Sequence, residues 1–126
     1  MTRPELPPDL RRFILTSIPS VPYLEALLLL RAEPQREWDA AALARRLYLP
    51  EARAGELLQG LVSAGIAQQG VAGARYGPGS DELKGMLDQT AAMYAADLVG
   101  ISDLIHSRVD KKAQQFADAF RWRKDS

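Results

Sequence analysis

The stretch Trp38–Tyr76 constrains the fold of this chain more than any other, because signals for a short helix, a turn, a second helix and a hairpin follow one another within it. Asp39 is a suitable N-cap for a first short helix, and Pro50 stands where a second helix would begin. Gly65 supplies the left-handed residue that commonly ends a helix. Two short segments follow, joined by a loop with glycine at both ends, residues 70–73. The pattern predicts two crossed helices and then a β-hairpin.

The apolar residues of this stretch recur at helical spacing, which predicts the side chains that face the core. In the two helices they are Leu43, Ala44, Leu47, Ala54, Leu57, Leu58, Leu61 and Val62. Arg45 and Arg46 fall on other faces, and we expect them in solvent. The strands are predicted at Ile66–Gln69 and Ala74–Gly77. A preceding helix, residues 21–32, is apolar nearly all round, so we expect it at the centre of the core.

The chain divides into three predicted regions around this stretch. Residues 1–19 form an N-terminal extension with a short helix, Leu10–Thr16, that Asp9 would cap. Residues 20–79 form the domain of helices and hairpin, and residues 80–126 form a helical C-terminal region. The predicted fold class is therefore mainly α with a small β-hairpin.

A long helix is predicted from Asp81 to about Ser107, with Ser80 as its cap. Its apolar residues follow the alternating four- and three-residue spacing of a coiled-coil seam. They are Leu87, Ala91, Tyr94, Leu98, Ile101 and Ile105. Two interpretations stay open: a seam that joins two copies of the chain, or a core helix that packs within one copy.

The end of the chain is basic and aromatic. A final helix capped by Asp110 would place Phe116 and Phe120 on one face, followed by residues 121–124, Arg-Trp-Arg-Lys. Such an end either contacts nucleic acid or a partner, with Trp122 stacking, or is a solvated tail.

Composition narrows the class of protein. Sixteen Lys and Arg balance sixteen Asp and Glu, whereas nucleic-acid binders usually have a basic surface. Cysteine is absent, and no apolar run reaches membrane length, so we expect a soluble cytoplasmic protein. His106 is the only histidine, and nothing in the sequence builds a nucleophile with an oxyanion hole. We therefore expect no enzyme, no cofactor and no metal site.

Three short motifs resemble a known family. They are Leu43-Ala44-x-x-Leu47, Leu57-Leu58-x-x-Leu61 and Ala64-Gly65-Ile66 leading into the hairpin. In this order they are similar to the winged helix-turn-helix domains of bacterial transcriptional regulators of the MarR and PadR type. The resemblance implies a regulator that binds double-stranded DNA as a homodimer, with the hairpin as the wing and the seam helix as the dimer contact.

The resemblance also implies which residues touch DNA. The second helix of the pair would enter the major groove, where Arg53 can pair with guanine and Gln59 with adenine. Arg45, Arg46 and Arg75 would contact phosphates.

Two other functions fit the same architecture. A winged helix used for protein–protein interaction would have the neutral surface that this composition gives, and Glu51 and Glu56 on the second helix fit that alternative. A ligand sensor with a pocket between the long helix and the winged domain is the third alternative, although no sequence feature names a ligand.

Overall fold

The computed structural model describes residues 5–108, and within them the chain is mainly helical with one two-stranded antiparallel hairpin, which confirms the predicted fold class. The elements are α1 Pro8–Ser17, α2 Val21–Ala32, α3 Ala40–Leu47, α4 Glu51–Ser63, β1 Ala67–Gln69, β2 Ala74–Tyr76, α5 Asp81–Ala96 and α6, described as residues 98–108. They form two compact units. The central unit is residues 22–91, and the terminal unit has residues 5–21 and 92–108 as its described part.

The core of the central unit is built by α2, α3 and α4. Helix α3 packs on α4, and α4 packs on β1. The predicted core residues of α3 and α4 are buried, except that Leu47 and Val62 are half-buried. Three leucines of α2 are fully buried: Leu24, Leu27 and Leu30. The apolar spacing read from the sequence therefore placed the helices of this unit correctly.

The ends of α3 and α4 follow local chemistry. The Asp39 carboxylate accepts a hydrogen bond of 2.8 Å from the Ala42 N–H, which confirms it as the cap of α3. Pro50 occupies the N-cap of α4 rather than its first helical position. Gly65 has a φ of 77°, as its predicted role at the end of α4 requires. Tyr48 joins the two helices in the left-handed conformation, with φ 57° and ψ 46°.

The hairpin pairs Ala67 with Tyr76 and Gln69 with Ala74, so each strand is one residue shorter than predicted. Ile66 and Gly77 lie outside the strands, although the Gly77 N–H donates to the Ile66 carbonyl over 2.9 Å.

The central unit includes α5 up to Ala91. The Ser80 hydroxyl accepts from the Leu83 N–H over 3.1 Å and caps α5 as predicted. Arg31 of α2 and Asp88 of α5 form an ion pair of 3.0 Å, which ties α5 to the unit. Burial raises the pKa of Tyr76; the Asp88 charge adds to this, and Arg31 opposes it.

In the terminal unit, the cap predicted for α1 is wrong. The helix begins at Pro8 with Pro7 as its N-cap, and Asp9 lies in the first turn. Proline is favoured at the first helical position because its missing N–H has no partner there in any helix. Asp9 still lies at the positive end of the helix dipole.

The predicted continuous helix to Ser107 is also wrong, because Asp97 interrupts it. The Asp97 carboxylate accepts a hydrogen bond of 3.1 Å from the Gly100 N–H, so this residue caps α6. The predicted seam is thereby divided, with Leu87, Ala91 and Tyr94 on α5 and Leu98, Ile101 and Ile105 on α6.

Within residues 5–108 no single helix is long and apolar enough to cross a membrane, and α1 and α2 pass that test only when they are added together as a bent pair. The final helix predicted after Asp110, with Phe116, Phe120 and Trp122, lies outside the described residues.

Candidate interface on the central unit

An open groove of about 650 Å³ lies between α4 and the loop of the hairpin, residues 70–73. Its lining residues are Trp38, Asp39, Ala40, Gly55, Leu58, Gln59, Val62, Ser63, Gln69, Val71, Ala72, Gly73 and Ala74. Among the lining residues only Asp39 carries a charge, and its Oδ1 is already engaged as the cap of α3. The groove is therefore a mixed apolar and amide surface without a cation.

Helix α4 supplies one wall of the groove through residues four apart. Gly55, Gln59 and Ser63 follow one another along the helix, with Leu58 and Val62 beside them. Of the residues predicted to contact DNA, only Gln59 lines the groove. Gln59 and Ser63 are both exposed.

The opposite wall is held in place by the segment before α3. Trp38 and Ala74 exchange backbone hydrogen bonds of 2.8 and 2.9 Å, and the Glu37 carboxylate accepts from the Ala72 N–H over 3.0 Å. Gly73 has a φ of 157°, and a Cβ there would meet the Trp38 carbonyl oxygen at 2.3 Å. Backbone therefore approaches backbone at this point, and only glycine fits.

Two of the arginines predicted to bind DNA face carboxylates of their own unit. Arg53, the single cation of α4, lies 3.3 Å from the Glu56 carboxylate one turn along the helix. Arg46 lies 3.8 Å from Glu33. Both pairs are exposed, so each contributes little to stability and can be broken at small cost.

Arg36 was not singled out by the sequence. Its guanidinium carbon lies 3.7 Å from the centre of the Trp38 ring, and its Nη1 lies 3.4 Å from Glu33. Arginine over a tryptophan face is a favourable cation–π contact, so Arg36 covers the buried Trp38 ring. No local pattern reveals this contact, because it depends on how the segment before α3 folds back.

Arg45 and Arg75 are different, since both are exposed and neither forms an ion pair within the described part of the chain. The central unit as a whole carries seven Arg and Lys against nine Asp and Glu, a formal charge of −2. Arg45 and Arg75 therefore belong to a unit whose net charge is negative.

Two exposed apolar side chains of the central unit were not predicted from the sequence. Tyr48, in the α3–α4 turn, is 94 % exposed, and Val71, at the tip of the hairpin loop, is fully exposed. Their signal in the sequence is weak, because single apolar residues on a surface are ordinary. Val71 lines the groove and Tyr48 does not.

Most of the predicted dimer seam is buried within a single copy of the chain. Leu87, Tyr94, Ile101 and Ile105 are each 9 % exposed or less, Ala91 is half-buried, and Leu98 is 55 % exposed. This burial fits the alternative of helices that pack within one copy. The homodimer itself stays a prediction.

The described residues contain no group of three or more His, Asp or Glu that could hold a metal ion, and His106 is exposed. Comparison of the chain with protein-family models, curated proteins and solved structures gave no match.

Proposed function

We propose that the central unit is a protein-binding module whose contact face consists of α4 and the hairpin loop. One observation carries this proposal. The groove at this face contains no cation, and Arg53, the single cation of α4, lies against Glu56. A concave surface that has no cation and is lined by an exposed apolar residue, Val71, suits a polypeptide better than it suits a phosphate backbone.

Electrostatics supports the same choice. Most of the affinity of a protein for DNA comes from phosphate neutralisation by Lys and Arg, and each such contact releases counterions. The central unit has a formal charge of −2, so its net charge does not attract phosphates. Binding to a protein partner does not depend on phosphate neutralisation.

DNA binding is the second candidate, and a specific observation favours it. Arg45 and Arg75 are exposed and lack ion pairs among the described residues, and Gln59 is exposed on α4. Under this proposal the chain is a transcriptional regulator that acts as a homodimer, with Arg46 and Arg53 released from their acids on binding. Sedimentation equilibrium measures the mass of the protein in solution, and a monomer mass would rule out the homodimer.

Fluorescence anisotropy with labelled random duplexes separates the two candidates. At about 50 mM salt even non-specific DNA binding is detectable. If the central unit is a protein-binding module, we expect the full chain to show no DNA binding under this condition. The comparison variant is Arg45→Ala with Arg75→Ala, which removes the two free cations. Binding by the wild type that weakens with salt and is lost in this variant would overturn the protein-binding proposal in favour of DNA.

Direct support for the protein-binding proposal requires a peptide that binds the chain. Peptides selected from a random display library on the full chain should perturb the NMR signals of α4 and of residues 70–73. Peptides that perturb only other surfaces would contradict the proposed face.

A further inference from the structure

We infer that the groove between α4 and the hairpin loop takes an apolar peptide segment flanked by Lys or Arg, and that Gly55 is the residue that admits it. This inference rests on the proposed protein-binding function and names the chemistry of the ligand. It is carried by three observations: a glycine that the fold does not need, the lining of the groove, and the charge around it.

Gly55 lies inside the thirteen-residue helix α4, where glycine is less favourable than alanine. Its backbone conformation does not require glycine, because its φ is not in the left-handed region. Its packing does not require glycine either, since a Cβ there would meet only the Ala40 Cβ at 3.7 Å, an ordinary contact. What the missing side chain does is leave the groove wall open to the backbone of α4.

The lining matches a peptide in extended form. Leu58, Val62 and Val71 offer apolar surface for side chains. Gln59 and Ser63 offer an amide and a hydroxyl, which can hydrogen-bond the N–H and C=O groups of a peptide backbone. A volume of about 650 Å³ is in the range of protein sites that bind ligands.

The charge around the groove favours Lys or Arg beside the apolar segment of the bound peptide. Asp39 is the single charged lining residue, and only its Oδ1 is used by the Ala42 N–H. The net charge of −2 on the central unit adds a field of the same sign. A phosphate or an acidic peptide is disfavoured at this groove, whereas Lys or Arg beside the apolar segment is attracted.

The experiment compares two glycines. Gly85 lies inside α5 of the same unit and has no atom within 4 Å of its added Cβ, so it is a matched control for Gly55. Gly55→Gln and Gly85→Gln each replace a helical glycine by a good helix former, and both should raise the melting temperature by several degrees. Only Gly55→Gln fills the groove.

The readout is the affinity of peptides selected on the wild-type chain. We expect Gly55→Gln to weaken them at least about tenfold, although it is more stable than the wild type, and Gly85→Gln to leave them unchanged. Asp39→Asn keeps the cap, because asparagine caps helices as well as aspartate, and it should weaken Lys- or Arg-bearing peptides several-fold. The selected sequences themselves should be apolar with basic flanks.

Several results would overturn the inference. Equal affinity for the two glycine variants, with NMR shifts still on α4 and the hairpin loop, would reject the groove and leave the protein-binding function standing. Acidic selected peptides would reject the ligand chemistry. Self-association of the wild type that Gly55→Gln abolishes would make the occupant a second copy. A chain that yields no peptides and binds duplex DNA would overturn both the inference and the proposed function.

Discussion

The two walls of the groove differ in how their polar groups are used. On the hairpin side, the backbone of Trp38 pairs with Ala74, and the Glu37 carboxylate binds the Ala72 N–H. On the α4 side, Gln59 and Ser63 are exposed. One wall is therefore fixed by the fold, and the other presents polar groups outward. This difference predicts that mutations lose stability on the first wall and lose binding on the second.

Gly73→Ala should have the largest effect on stability. Its Cβ would lie 2.3 Å from the Trp38 carbonyl oxygen and 2.9 Å from the Asp39 nitrogen, and backbone atoms cannot rotate away as a side chain can. We expect a loss of about 3 kcal/mol in the free energy of unfolding, measured by urea denaturation. Gly79→Ala is the control, since its nearest contact is 3.7 Å. Equal behaviour of the two variants would mean that the hairpin wall is not fixed.

Asp39→Ala should have an intermediate effect. The substitution removes the hydrogen bond of 2.8 Å to the Ala42 N–H at the start of α3, and loss of such a cap costs about 1 kcal/mol. Asp39→Asn should be close to the wild type. Thermal unfolding of the three proteins measures this, and an alanine variant as stable as the asparagine variant would argue against the cap.

Arg53→Ala should have the smallest effect. Its ion pair with Glu56 spans 3.3 Å on the exposed side of α4, and such pairs contribute about 0.3–0.5 kcal/mol. We expect a change in stability below about 0.5 kcal/mol by urea denaturation. A loss as large as that of Asp39→Ala would show that the Arg53–Glu56 pair on the exposed side of α4 is structural.

Local chemistry made much of the central unit predictable. The Asp39 cap, the left-handed Gly65 and the glycine-bounded loop all follow from short-range rules, and the structure confirms each of them. Buried leucines followed from helical spacing alone. These features depend only on neighbours within a turn or two of the chain.

Other features depend on distant contacts or on a choice between local signals. The groove exists because the hairpin lies beside α4. The spacing of apolar residues in the sequence does not predict the distance between the hairpin and α4. The cap of α1 was misread because a proline pair competed with Asp9. The break at Asp97 did have a local signal, since Asp97 and Gly100 have the spacing of a cap and its donor, but the apolar spacing that continued past it dominated the prediction.

The interruption at Asp97 bears on how repeats are counted in a sequence. A seven-residue repeat places its side chains on one face only along a continuous helix. When a new helix begins, the direction of its side chains is no longer set by the repeat of the helix before it. Leu98, Ile101 and Ile105 continue the spacing of Leu87, Ala91 and Tyr94 in the sequence, yet the two sets belong to different helices. Any two short helices laid end to end in a sequence can imitate a coiled coil in this way.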